Sequence, residues 1–235
     1  MNNLKLACTW TVLEREWLPI SRREIWIPRL ERKNLFTNYG LTALASAPSG
    51  NYVAPIYLAV ESFYSPLNAQ ANPGDMSFSL NTRVDQSGDT QVVVDIGSIN
   101  QEVVTFSSVS GTSAPYTYTL STPLQNSHPA NAPVVRQVSA NDTISNLTTE
   151  VQYDPVNFPG LRLASGAGYS SGNGQYTIQF YFTATMAVAY FATCGLTDSQ
   201  TISQGNLHNH FTLGYDHSLG QNDVQINGNL TIVNS

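Results

Sequence analysis

YTIQFYFTATMAVAYF, residues Tyr176–Phe191, is the stretch that decides the fold class. Ile178, Phe180, Phe182 and Ala184 fall on one side of an extended chain, and Tyr181, Thr183 and Thr185 on the other. A period of two, built from aromatic and β-branched residues, reads as a strand with one face in a core. Working outward, Leu207–Leu213 and Val224–Val233 repeat the signal, with turns or bulges at Asn222-Asp223 and Asn227-Gly228. Upstream, residues 154–175 read as a loop and Ile144–Tyr153 as a strand. The chain opens on two more strands, 4–13 (LKLACTWTVL) and 24–30 (EIWIPRL). Pro28 confines the second to an edge or a strand end, because proline has no N–H for a ladder. Strong β signals at both termini predict that the first and last strands share a sheet.

The one helix signal is Asn38–Ala47, capped by Thr37, with Leu41, Leu44 and Ala45 on one face and a stop at Pro48-Ser49-Gly50-Asn51. Ala54–Ser62 is a largely apolar strand and 64–75 a loop. Residues 76–138 hold five short strands separated by turn signals such as Ser110-Gly111-Thr112, the spacing of a small barrel or sandwich. The expected fold is mainly β. It is a jelly-roll-like β-sandwich body (34–75 and 139–235) with one short helix, an N-terminal basic segment (1–33) and a small inserted β-barrel or sandwich domain (76–138).

Seven of the ten basic residues, Lys5, Arg15, Arg22, Arg23, Arg29, Arg32 and Lys33, lie in the first 33 positions. With Glu14, Glu16, Glu24 and Glu31 that segment carries +3; the remainder carries −9, giving −6 overall. Charged residues are only 11% of the chain, against roughly 25% in an average soluble protein. The 12 Tyr, 9 Phe and 3 Trp argue against disorder. A neutral polar surface suits a protein that lives against neighbours, and suits extracellular β-proteins as well. No segment is apolar enough to span a bilayer, and Glu14 and Arg15 interrupt the start before a signal peptide could form. Sec export is not expected, so Cys8 and Cys194 read as free thiols and the N-x-Thr sequons at Asn141, Asn146 and Asn229 as silent.

Trp10, Trp17 and Trp26 among Arg22, Arg23, Arg29 and Arg32 form a candidate docking arm, since Trp and Arg dominate interface anchors. Intramolecular strand packing is the competing reading. Interleaved glutamates make the arm a weak phosphate binder, so no nucleic-acid partner is expected. His208 and His210, two apart on a strand, face one side; two ligands from each of three chains round a three-fold axis would hold an octahedral metal. Ser165–Gly174 reads as an exposed glycine-rich loop in which Tyr169 could touch a glycan. Most acids sit in turn contexts. Asp95 and Glu102 flank a turn and could pair with carbohydrate, or serve the turn. No nucleophile or metalloprotease motif appears, so no enzyme activity and no cofactor are expected.

Three groups of residues resemble minor structural proteins of tailed bacteriophages. Leu35-Phe36-Thr37-Asn38-Tyr39-Gly40-Leu41-Thr42-Ala43-Leu44-Ala45 is similar to their L-V-T-N-x-G-L-x-x-L-A opening, followed by a strand like Tyr57-Leu58-Ala59-Val60-Glu61. Met186–Leu196, Thr197-Asp198, Leu207–Leu213 and Val224–Val233 resemble their closing pattern, with Thr193-Cys194 in place of the usual acid and Thr197 in place of Phe. Asp95–Val135 is similar to a small β module of phage virion proteins. The resemblance implies a virion part (tail, neck, fibre or capsid decoration), assembled in the host cytoplasm beside other virion structural proteins. A homo-oligomer is expected, a trimer first. A cementing protein and a host-glycan adhesion module are the alternatives, and no membrane partner is expected.

Overall fold

The computed structural model describes residues 4–18, 23–36, 55–138, 147, 149–172 and 175–234. Every regular element among these described residues is a strand. In chain order they are β1 (Leu4–Leu18), β2 (Arg23–Phe36), β3 (Tyr57–Glu61), β4 (Tyr64–Pro66), β5 (Ser77–Leu80), β6 (Gln91–Val94), β7 (Glu102–Ser110), β8 (Tyr116–Leu120), β9 (Pro133–Arg136), β10 (Leu163–Ala164), β11 (Ala167–Gly172), β12 (Gln175–Phe182), β13 (Tyr190–Thr197), β14 (Asn209–Asp216) and β15 (Val224–Asn234). The expected helix Asn38–Ala47 lies outside the described residues.

The chain divides into two compact units, residues 1–61 with 139–235, and residues 62–138. The strand spacing places the start of the insertion at residue 76; the compact unit begins at Ser62. The reason is β4, whose Tyr64 and Ser65 pair with Val135 and Val134 of β9, so the segment taken for a loop closes the second unit.

The first unit is a nine-stranded sheet in the order β10-β3-β13-β14-β2-β1-β15-β12-β11. β1 pairs antiparallel with β15 from Leu4↔Asn234 to Glu14↔Val224, so the first and last strands are neighbours. β2 is an interior strand, yet it meets β14 only at Asn209↔Phe36 and His210↔Leu35. Pro28 lies beyond that short ladder, beside the bulge at Val12/Leu13 where it faces Leu13. Proline is tolerated here because this stretch of β2 has the freedom of an edge.

The core explains how one sheet can bury itself. Trp10, Val12, Leu58, Val60, Phe180, Phe182, Phe191, Leu196, Phe211, Leu213, Val224 and Ile226 form one cluster. β3 and β12 both feed it, although five strands separate them in the sheet order, so the sheet folds over on itself. The rings of Trp10 and Phe211 stack at 4.7 Å. Each such buried side chain contributes roughly 1.5–3 kcal/mol, so convergence of six strands, rather than any one hairpin, holds the unit.

Two expectations are corrected. Tyr176–Phe191 is two strands, because β12 ends at Phe182 and the chain turns, with Met186 N donating to Thr183 O at 2.9 Å and Ala187 at φ 48°. The apolar run continues through the turn because Met186, Ala187 and Ala189 pack on the core. The glycine-rich segment taken for a loop contains β11, an edge strand whose Gly168 and Tyr169 pair with Ile178 and Thr177.

The second unit is a six-stranded sheet, β4-β9-β6-β7-β8-β5. A bridge between Leu67 and Leu80, with Asn68 N donating to Ser79 O at 3.1 Å, joins its edges into a nearly closed barrel. Leu67, Phe78, Leu80, Val92, Val94, Val104, Tyr118 and Val134 fill it.

Candidate functional site

The buried positions of β1, β15 and β12 alternate with half-exposed ones. Trp10, Val12, Val224, Ile226, Ile178, Phe180 and Phe182 face the core; the residues between them face out. Register aligns the outward set in rows across the three strands. Thr9, Asn229 and Thr177 form one row, Thr11, Asn227 and Gln179 the next, and Leu13, Gln225 and Tyr181 the third. None of the nine is charged. Thr177 Oγ1 donates to Asn229 Oδ1 at 2.8 Å, and Gln225 Nε2 to Asn227 Oδ1 at 2.7 Å. The sequence reading noticed Tyr181 but missed these rows, since register exists only once strands pair.

A charged row ends this block. Arg15 reaches Glu24 at 3.1 Å and also pairs with Asp223, which accepts the Tyr181 hydroxyl and, at 2.9 Å, the Ala184 amide. Burial opposes ionisation of Asp223, but Tyr181, Ala184 and Arg15 together hold its carboxyl below the usual range. Trp26, opposite Arg15 in β2, packs edge-on against Tyr181 at 6.0 Å. Trp26 and Tyr181 are 37% and 40% exposed, so the pair is an aromatic step at the rim of a neutral face. Tyr169 holds the register position opposite Thr177, on the outer side of β12.

The docking arm is corrected in part. Trp10 is fully buried between Phe211, Phe180 and the backbone of Gly228, and so is a core residue. Arg32 donates to Leu213 O at 3.2 Å and ties β2 to β14 where their ladder ends. Arg29 pairs with Glu14 at 2.6 Å and with Glu16, so part of the basic charge is spent inside the hairpin. Trp17 and Arg23 belong to the turn end of the hairpin, at register positions Trp17↔Glu24 and Leu18↔Arg23. Arg22 lies outside the described residues. Among the arm's described side chains, Trp26 and Arg29 are exposed.

The metal expectation for His208 and His210 is also corrected. Both are buried, 2% and 1% exposed, and cannot meet copies of themselves across a symmetry axis. Their partners differ. His208 Nε2 is 3.4 Å from Asp198 Oδ2, whereas His210 Nε2 is 3.0 Å from Thr193 Oγ1, which donates to Glu61 at 2.8 Å. Burial outweighs the Asp198 contact and pushes the His208 pKa down. Among the described residues no group of three or more His, Cys, Asp or Glu is arranged to hold a metal.

Asp95 and Glu102 do converge, on a histidine. His128 is fully buried, with Nε2 2.6 Å from Glu102 and Nδ1 3.5 Å from Asp95. Glu102 also accepts the amides of Gln125 at 3.1 Å and Asn126 at 3.3 Å. This set fastens the loop before β9 to β7. The barrel does carry an open cleft of about 320 Å³, lined by Gln70, Asp75, Ser77, Phe78, Ser79 and Thr117. Asp75 there caps its own turn through Asn72 N at 2.8 Å. Set beside known proteins, the chain matches no family model and no curated protein.

Proposed function

We propose that this chain is a structural part of a tailed-phage virion, of tail, neck or fibre type, acting by binding rather than catalysis. The observation that carries the reading is where the resembling segments lie. Tyr57–Glu61 is β3, and the closing pattern supplies β13, β14 and β15. β3, β13 and β14 are consecutive neighbours, and Thr193 is hydrogen-bonded to Glu61. Motifs scattered over the sequence thus belong to one packed element.

Internally matched charge favours the same reading. Arg162 forks onto Glu150 at 2.8 and 2.9 Å, and Arg136 onto Asp89. Such buried, fully hydrogen-bonded pairs fix the geometry of a scaffold. In this reading the folded-over sheet is a jelly-roll-like sandwich body, and the inserted barrel is a second display module. The basic hairpin, a folded part of the sheet rather than a free arm, docks on other virion proteins. The chain assembles in the host cytoplasm as a homo-oligomer, a trimer first, without nucleic acid, membrane or cofactor.

Immunogold labelling of intact particles with an antibody against the chain tests this. Label at one fixed place on the tail or neck is the expected result, and label over the whole capsid moves the assignment to a cementing protein. Label only on host debris removes the virion reading. The adhesion alternative is favoured by one observation, the neutral outward face of β1, β15 and β12.

A further inference from the structure

The geometry points to a neutral oligosaccharide as the ligand of that face, a site that stands whether or not the chain is part of a virion. Strands lie about 4.8 Å apart and alternate residues about 7 Å apart along each strand, so three rows of three span about 10 by 14 Å. That is the footprint of a short sugar chain. Thr9, Thr11, Thr177, Gln179, Gln225, Asn227 and Asn229 occupy it. Hydroxyl and primary-amide groups each both donate and accept. That dual capacity matches a ligand whose every ring carries hydroxyls. Asn229 and Asn227 accept from Thr177 and Gln225 through their amide oxygens, so their NH₂ groups are the donors each brings to a ligand.

Charge decides between occupants. The block holds no basic residue, so a nucleic acid or a sulfated chain gains nothing from it. It holds no apolar centre, which a stable protein interface would bring, since Leu13 and Tyr181 alone are hydrophobic. The partly exposed Trp26 and Tyr181 rings stand at its rim and supply aromatic surface for the C–H side of a sugar. The flanking Arg15 is outnumbered by Asp223 and Glu24, so this rim adds no attraction for an acidic ligand.

The test uses the full chain and an array of linear glucose, mannose, galactose and N-acetylglucosamine hexasaccharides, with sialylated and sulfated chains as the acidic arm. At least one neutral hexasaccharide should bind, and no acidic chain should bind more tightly. Titration calorimetry with that sugar should then show at least a tenfold loss for Gln179→Ala/Asn227→Ala at unchanged melting temperature. If the double variant does not fold, Gln179→Ala alone serves. Binding should also shift tryptophan emission in the wild type and not in Trp26→Ala. Three outcomes overturn the proposal: no neutral sugar bound, a folded variant that binds as the wild type does, or a preference for sulfated chains. So does a variant that ceases to self-associate while the wild type ignores every sugar, which assigns the face to a second copy of the chain.

Discussion

The indole of Trp10 lies against Gly228, and a methyl at that glycine would stand 2.7 Å from Cη2 and 2.8 Å from Cζ3. Trp10 and Gly228 are register partners in β1 and β15, so the missing side chain of one strand is the space that the ring of the other fills. Phe211 covers the ring's other side. The central hairpin is therefore keyed to the closing strand at one residue pair.

Gly228→Ala should destabilise the first unit by about 1–3 kcal/mol through overpacking, read as a lower urea midpoint. Trp10→Ala should cost about 3–5 kcal/mol. Trp10→Phe should cost much less, because Nε1 is buried without a hydrogen-bond partner among the described residues and its removal relieves an unmet donor. In Trp10→Ala, adding Gly228→Ala should cost almost nothing, and a full additive loss would show that the two residues do not touch.

Cys194 is fully buried, and burial first and then Glu61 push its thiol pKa well up. The thiolate is the reactive form. Native protein treated with iodoacetamide at pH 8 should show Cys194 unmodified on peptide mapping, and full labelling in denaturant. Rapid native labelling would mean that β13 opens.

His208 is held neutral by burial, with its pKa below the ordinary value. A group that binds fewer protons in the folded state gives stability that is whole above its unfolded pKa of about 6.5 and is lost as pH falls below that value. The wild type should lose stability between pH 7 and pH 5, and His208→Gln should lose less over the same interval. Equal pH slopes by urea denaturation would remove His208 from the acid sensitivity.

Arg162 is 3% exposed and donates to Glu150, Thr197, Ser199 O and Gln204 O. Arg162→Leu leaves the Glu150 carboxylate buried without its cation, which should cost about 3–5 kcal/mol. Glu150→Gln in the same chain should recover part of that loss. A double variant as unstable as the sum of the two singles would contradict the coupling.

Tyr64 pairs with Val135 near the entrance and exit of the second unit, the arrangement that lets one domain sit inside another. Residues 62–138 made alone should give a dispersed amide NMR spectrum. A collapsed spectrum would tie the barrel's folding to the rest of the chain.

The strand character of the molecule was open to reading because alternation survives in 177–182 and 224–229, where one face is buried and the other is not. Turn positions were less so. Met186, Ala187 and Ala189 are apolar because a turn is buried, and periodicity cannot tell a buried turn from a strand. β11 went unread because Ala167–Gly172 is built of Gly, Ser, Ala and Tyr and carries no alternation of apolar and polar residues. Trp10 and Trp26 look alike in sequence, and their sorting into core and surface needed the register of β1 with β15 and β2. The same holds for His208 and His210, whose polarity suggested a surface until Asp198 and Thr193 were seen to meet them.

Quantitative mass spectrometry of gradient-purified particles, from a phage whose genome encodes this chain, tests the virion assignment most directly. The account predicts the chain as a fixed, low copy number per particle, a multiple of its oligomer size, retained through high-salt washing. Absence from the particles, or a trace amount that washes away, would contradict it.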